Sequence, residues 1–329
     1  MSQNREGLRS AGVCRRDVVT ALGAFAASPG LWRAASALVH PGQAGPYALV
    51  LGTAQDGGLP QIGCYTPRCA RARSTARYVA SLALVEPESE RYYLVDATPD
   101  LTRQADLIDE EGFRRRAGER RPFDGIFLTH AHIGHYLGLA LLGREGVGTA
   151  PTPVFCTPTM AEFLTTNGPW SLMVDEGRLF FPEVPMDRWF EVDEWLSVRM
   201  IPVPHRPEFS DTVGFMFRGP AQTILYLPDI DRWEAWDYAI DDIVREVDAA
   251  LLDGSFYSGA EIPGRDIEDI PHPLIPHSMD LLESAVRDGA RVIFTHLNNT
   301  NPVHDDGPET QEVQDRGFEV ARQGMRIGL

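Results

Sequence analysis

Three histidines within six residues, His130, His132 and His135, follow directly on the apolar run Gly125-Ile126-Phe127-Leu128. A run this short and apolar reads as a buried strand, which puts the imidazoles at a strand end with His135 opening the next helix. Neutral imidazole is the commonest protein ligand for zinc and related metals, and an HxH pair leaving a strand directs two rings at one point. A solvated polar turn is the competing reading. The density of histidine here, a third of the nine in the chain, argues for a metal site.

Further along, strand-like runs each deliver another ligand-type residue. His205 follows Ile201-Pro202-Val203-Pro204, Asp229 follows Ile224-Leu225-Tyr226-Leu227-Pro228, and His296 follows Val292-Ile293-Phe294-Thr295. One histidine after a strand is usually structural; three such residues in series extend the metal reading.

Composition narrows the chemistry. All 30 basic residues are arginine, so lysine-dependent mechanisms such as Schiff-base formation, pyridoxal phosphate anchoring and a P-loop are excluded. The formal charge is −17. Such a surface repels phosphate backbones, and the dense basic stretch Arg114-Arg115-Arg116 with Arg120-Arg121 reads as a helix cap and loop. No nucleic-acid partner is expected. The 329 residues, 43% hydrophobic, suffice to bury one large α/β core.

The first 45 residues read as a leader and linker, with the domain occupying 46–329. Arg15-Arg16 precede an uncharged run from Val18 to Ala27, and Ala35-Ser36-Ala37 follows as a small-residue cleavage pattern. That order resembles a twin-arginine export signal and implies contact with export machinery and a periplasmic or secreted product. The apolar run is about half of the roughly 20 residues a bilayer span needs, so no permanent membrane span is expected.

Strands are expected at Tyr47 to Leu51, Ser81 to Val85 and Tyr92 to Val95, then a helix from Pro99 to Ile108. Tyr136 to Leu142 reads as an apolar helix, Val154 to Cys156 as a strand after the breaking Pro151-Thr152-Pro153, and Pro158 to Leu164 as a helix. The insert carrying Trp170, Trp189 and Trp195 reads as core. The second half offers strands at Val198 to Val203, Val213 to Phe217, Thr223 to Leu227, Ala249 to Leu252 and Arg291 to Thr295. Helical patterns cover Trp233 to Val247 and Ser278 to Val286. Gly57-Gly58 suggests backbone bent close to the mouth of a site. Cys64 and Cys69 fit either a disulfide or half of a structural zinc site.

The stretch from His130 to His135 resembles the HxHxDH motif of the metallo-β-lactamase superfamily, with Gly134 where the motif has aspartate. The resemblance covers Tyr47 to Asn301 and implies the αββα sandwich, an α/β (α+β) fold with helices outside two sheets. It further implies that His130, His132 and His205 hold one metal, that His135, His296 and a bridging Asp229 hold a second, and that Asp96 orients the site from behind. Within the superfamily, the blocks Gly57 to Cys69, Asp96 to Asp100, Asp253-Gly254-Ser255-Phe256 and His296 to Pro302 resemble the branch containing pyrroloquinoline quinone synthesis protein B. Members making that cofactor tend to lose the leading histidines and keep the aspartate; this chain does the opposite. Asp253 and His272 fall where that branch places pocket residues and are candidates for proton transfer.

A metal on three imidazoles with an open position lowers the pKa of bound water to about 7. The leading expectation is therefore a hydrolase using metal-bound hydroxide on a small substrate, with Asp229 orienting the nucleophile and His272 and Asp253 serving proton transfer. The alternatives are an iron-dependent oxidative step resembling quinone-cofactor synthesis and a non-enzymatic metal or ligand binder. Zinc is the expected metal, iron or manganese the alternatives. Because glycine at 134 offers no donor, one tight metal is expected, with the second weak or absent; two equally tight metals would imply a further ligand, with Asp56, Asp253 and His272 the first to examine.

Overall fold

The computed structural model describes residues 45–110, 120–264 and 270–329. The expected export signal and the arginines at 114–116 lie outside them.

The first sheet is built from β1 (Tyr47–Gly52), β2 (Ser81–Glu86), β3 (Arg91–Val95), β4 (Gly125–Phe127), β5 (Thr152–Phe155) and β6 (Leu179–Phe180), side by side in that order. The second runs through β7 (Phe190–Asp193), β8 (Leu196–Val203), β9 (Thr212–Arg218), β10 (Thr223–Leu227), β11 (Ala249–Asp253), β12 (Arg291–Thr295) and β13 (Glu319–Val320). A last strand, β14 (Arg326–Gly328), returns to the first sheet, pairing antiparallel with β1.

Both faces of each sheet are covered, which explains why the strands read as near-continuous apolar runs. In β1, Tyr47, Leu49 and Leu51 face the helix layer while Ala48 and Val50 face the other sheet. In β10, Ile224 and Tyr226 point into the sandwich and Leu225 and Leu227 to the outer helices. The period of two thus builds three cores: one between the sheets, where Phe127, Phe155, Phe215 and Phe217 stack and cross edge to face, and one outside each sheet. The result is the expected αββα order.

Helices α1 (Pro67–Ala72), α2 (Leu101–Glu110), α3 (Ile133–Tyr136), α4 (Pro158–Thr166) and α5 (Trp170–Asp175) belong to the first half, and α6 (Ile240–Arg245), α7 (Ile275–Arg287) and α8 (Pro308–Asp315) to the second. Local chemistry sets several starts. Thr66 and Thr157 cap α1 and α4 by accepting from the backbone N–H of Cys69 and Met160, each with proline in the first turn; such a cap contributes about 1 kcal/mol.

Several expectations change in detail. Tyr136 to Leu142 splits into the end of α3 and a 3-10 turn over Leu137–Leu142. Trp233 to Val247 is not one helix: a 3-10 turn at Trp233–Ala235 ends where Trp236 goes extended and its indole donates to Pro202 O at 2.6 Å, and α6 begins only at Ile240. Thr152 and Pro153 do not break the chain but belong to β5, beside the two-residue strand β6. Trp170 is core, Trp195 is partly buried against the inter-sheet cluster, and Trp189 lies under the guanidinium of Arg218 at 3.8 Å. Cys64 and Cys69 are joined in a disulfide. Cys156 is a buried thiol, pushed up to about 12 by burial.

Candidate metal centre

Loops at the ends of strands from both sheets meet over one point. Asp96 leaves β3 and His296 leaves β12 with φ of 63° and 58°, left-handed conformations that non-glycine residues adopt infrequently and that turn the side chain sharply off the strand direction. His130 and His132 follow β4, His135 lies in α3, His205 follows β8 and Asp229 follows β10.

Each imidazole is tied from behind. Asp96 Oδ2 accepts from His135 Nδ1 at 2.8 Å, and Asp231 Oδ1 accepts from His205 Nδ1 at 2.8 Å. Thr129 Oγ1 donates to Asp96 at 3.0 Å and stands 3.0 Å from His130 Nδ1, so it accepts from that ring. Ser255 Oγ, which donates to His296 O, stands 3.0 Å from His296 Nδ1. His132 is held through the opposite nitrogen, Nε2, 3.1 Å from Glu208 Oε2. A carboxylate only accepts, so these contacts fix the tautomers and leave the other nitrogen of each ring bare toward the centre.

The bare nitrogens form two groups that share Asp229. In one, His130 Nε2 lies 2.8 Å and His205 Nε2 3.2 Å from His132 Nδ1, with Asp229 Oδ1 3.6 Å from His205 Nε2. In the other, Asp229 Oδ2 lies 3.1 Å from His135 Nε2 and 3.3 Å from His296 Nε2. His135 Nε2, His296 Nε2 and Asp229 Oδ2 are buried without a hydrogen-bond partner despite these distances. An unsatisfied buried polar atom costs about 1–3 kcal/mol, and three at one point with lone pairs converging fit a cation between them. The donor set, imidazole and carboxylate, suits zinc or iron.

The electrostatics differ between the two groups. Burial holds His130 and His132 below the ordinary histidine value, keeping them neutral and able to ligate. Burial also opposes charge on His135, but Asp96, Asp229 and Asp56 outweigh it and hold the ring well above its usual value. Asp229 is held well below the carboxylate range, because His296 and His135 overcome its burial.

Of the residues expected from sequence, His130, His132, His135, His205, Asp229 and His296 meet at the centre, and Asp96 stands behind it. Asp253 and His272 form a buried pair at its edge: Asp253 Oδ2 accepts from His272 Nδ1 at 2.8 Å, and His272 Nδ1 is 3.8 Å from Asp229 Oδ1. Asp253 outweighs burial and raises His272 above its ordinary value. His272 also lines an open cleft of about 360 Å³ with Arg232, Glu234, Ile270 and His277. Cys64 and Cys69 stay outside; Asn299 Nδ2 approaches Cys64 Sγ at 3.5 Å.

Sequence reasoning passed over Asp231, Glu208, Thr129 and Ser255, the groups behind the rings. Asp56 was outside the expected ligand set, named only among the residues to examine for a further ligand. Its carboxylate Oδ1 lies 3.3 Å from His135 Nε2 and 3.6 Å from His296 Nε2. The signal for Asp56 was the adjoining Gly57-Gly58.

This fold and cluster define the class: the chain belongs to the beta-lactamase superfamily, whose domain model matches residues 91–297. Within that class it belongs to the family of coenzyme PQQ synthesis protein B. It is 31% identical to that protein of Methylobacterium radiotolerans over 313 residues, 85% of this chain and 99% of the relative. With the counterpart from Azotobacter vinelandii it shares 29% over 310 residues, again 85% and 99%. Among solved structures, the zinc-bound PqqB of Methylobacterium extorquens superposes with a TM-score of 0.72 at 24% identity, covering 86% of this chain and all of that one. A diphosphatase of the PhnP family superposes at 0.62 with 22% identity, over 86% and 96%; these likenesses speak for the fold.

Proposed function

We propose that this chain is a metal-dependent enzyme acting on a small molecule in cofactor biosynthesis, an oxidative step of the kind its coenzyme PQQ synthesis protein B relatives suggest. The observation that carries a metal enzyme is the set of five imidazoles, each tied by an oxygen behind and bare in front, around the two oxygens of Asp229. The relatives, similar over nearly their whole lengths, favour the biosynthetic step over general hydrolysis.

A bound metal ion supplies a Lewis acid and lowers the pKa of water or substrate bound to it. His130, His132 and His205 would hold it, with Asp229 reaching toward both donor groups. Their partners Thr129, Glu208 and Asp231 fix the ring planes, so little reorganisation is needed during the reaction. His272 carries a proton at Nδ1 on Asp253, beside Asp229 and at the wall of the open cleft. The buried pair of His272 and Asp253, next to Asp229 and with His272 lining the open cleft, supports a role for it in proton transfer. Zinc and iron both suit these donors, and an oxidative step calls for iron.

The test is to express this chain in a bacterium lacking its own coenzyme PQQ synthesis protein B. Restored quinone cofactor, lost again with His130→Ala, supports the reading. A well-expressed, metal-loaded chain that restores none contradicts it. Hydrolysis is the second reading, favoured by the intact three-imidazole group with Asp229 Oδ1 beside it; turnover of a chromogenic ester or phosphodiester without oxygen, together with failed complementation, would select it.

A further inference from the structure

Position 134 and residue Asp56 occupy the same space. A Cβ on Gly134 would fall 2.3 Å from Asp56 Oδ1, 2.8 Å from its Cγ and 2.8 Å from its Cα. The last of these is a backbone atom, so no rotamer of Asp56 relieves the collision. The glycine is what lets the Asp56 turn approach α3, and the Asp56 carboxylate fills the volume that a side chain at 134 would take.

The turn carrying Asp56 is pinned to the strand end carrying His296. Gln55 N donates to Leu297 O at 2.9 Å and Leu297 N donates to Thr53 O at 2.8 Å, so the residues next to Asp56 and His296 are joined backbone to backbone. Gly58, at φ of 65°, closes the turn by donating to Gln55 O at 2.7 Å. On the other side, Ala54 bridges Val79, whose N–H donates to Asp100 Oδ2. Asp56 is therefore held from both sides, with its side chain 29% exposed.

Its Oδ1 stands 3.3 Å from His135 Nε2 and 3.6 Å from His296 Nε2, the two bare, buried nitrogens that also face Asp229 Oδ2. Asp56, His135 and His296 can direct one ligand atom each to a single point.

We propose that Asp56 supplies the carboxylate that Gly134 lacks, completing a second divalent-cation site with His135, His296 and Asp229 Oδ2, so that the chain holds two metals. This rests on the metal-enzyme reading above. It also changes the expectation of a weak second metal, whose premise was an empty position beside Gly134. Two dications sharing Asp229 repel one another, and a second carboxylate offsets part of that charge where imidazoles cannot.

The experiment strips metal from the full chain with chelator, reloads it with zinc chloride, removes excess by dialysis and counts zinc per chain by mass spectrometry. Unfolding by circular dichroism runs in parallel. The parent should hold two zinc ions. The near-isosteric Asp56→Asn should hold one, with the second weakened at least 100-fold. Asp56→Gly should also hold one. A folded Asp56→Asn variant that keeps two tight zinc ions overturns the proposal. So does a parent that holds only one. A parent that binds no zinc or other divalent metal sinks the metal-enzyme reading itself, a result distinct from all of these.

Discussion

Replacing Asp96 tests whether the groups behind the rings set metal affinity. Asp96 is fully buried and accepts from Thr129 N at 2.9 Å, from Thr129 Oγ1 at 3.0 Å and from His135 Nδ1 at 2.8 Å. Its φ of 63° is one asparagine tolerates, so Asp96→Asn preserves the turn. The amide has one oxygen for at least two donors, and its NH2 must face either Thr129 N–H or His135 Nδ1–H. The ring of His135 loses its charged acceptor, and Thr129, which also steadies His130, loses part of its own. Removing such a partner costs about 10- to 100-fold in metal affinity, or roughly 1.4–2.7 kcal/mol. The loss should be largest for the metal bound through His135. Asp96→Ala goes further, leaving the buried Thr129 N–H and His135 Nδ1–H without their acceptor at about 1–3 kcal/mol each in the metal-free protein. Competition titration of zinc against a chromophoric chelator, alongside thermal unfolding, reads both quantities. An Asp96→Asn protein that binds zinc as tightly as its parent would refute the reasoning.

Gly134→Ala should destabilise the protein by about 1–3 kcal/mol, since its Cβ meets Asp56 Cα at 2.8 Å; unchanged thermal stability would contradict the packing argument. Asp231→Ala should weaken the metal on His205 by about 10- to 100-fold with little change at His135, measured by the same zinc competition. In the metal-free protein Asp96, Asp229 and Asp56 outweigh burial and favour the protonated form of the His135 ring, which competes with a metal, whereas burial favours the neutral form of His130 and His132. Binding at the His135 group should therefore release protons and depend on pH more steeply, rising as pH rises, than binding at the His130 group; calorimetry in buffers of different ionisation heat checks this, and equal pH dependence at both would contradict it. We propose that the chain is exported, so that Arg15→Lys with Arg16→Lys traps it in the cytosol; fractionation finding that variant outside the cytosol as often as its parent would end the export reading.

The parts legible in the sequence are those where chemistry and strand pattern sit side by side. His130, His132 and His135 adjoin β4, and Asp229 and His296 each follow an apolar run, so both fold class and ligand candidates surface together. Asp56 could be read only as one of three reserve ligands, with Asp253 and His272, because its place beside the centre depends on tertiary contact between a turn after β1 and the glycine of α3. Only the glycine pair beside it hinted at close approach. Asp231 and Glu208 were missed because a carboxylate behind a ring has no local pattern. The helix drawn from Trp233 to Val247 failed because the bond from the Trp236 indole to Pro202 O outweighs helical propensity. Strand β14 was missed because three residues carry too little periodicity, although pairing with β1 completes the first sheet.

The most direct test of the metal centre is anomalous diffraction at the zinc edge from crystals of the full chain grown with zinc. The account predicts a peak at about 2.0–2.1 Å from His130 Nε2, His132 Nδ1 and His205 Nε2, lost in the His130→Ala, His132→Ala double variant. No peak at those nitrogens, or one that persists in the double variant, would contradict it.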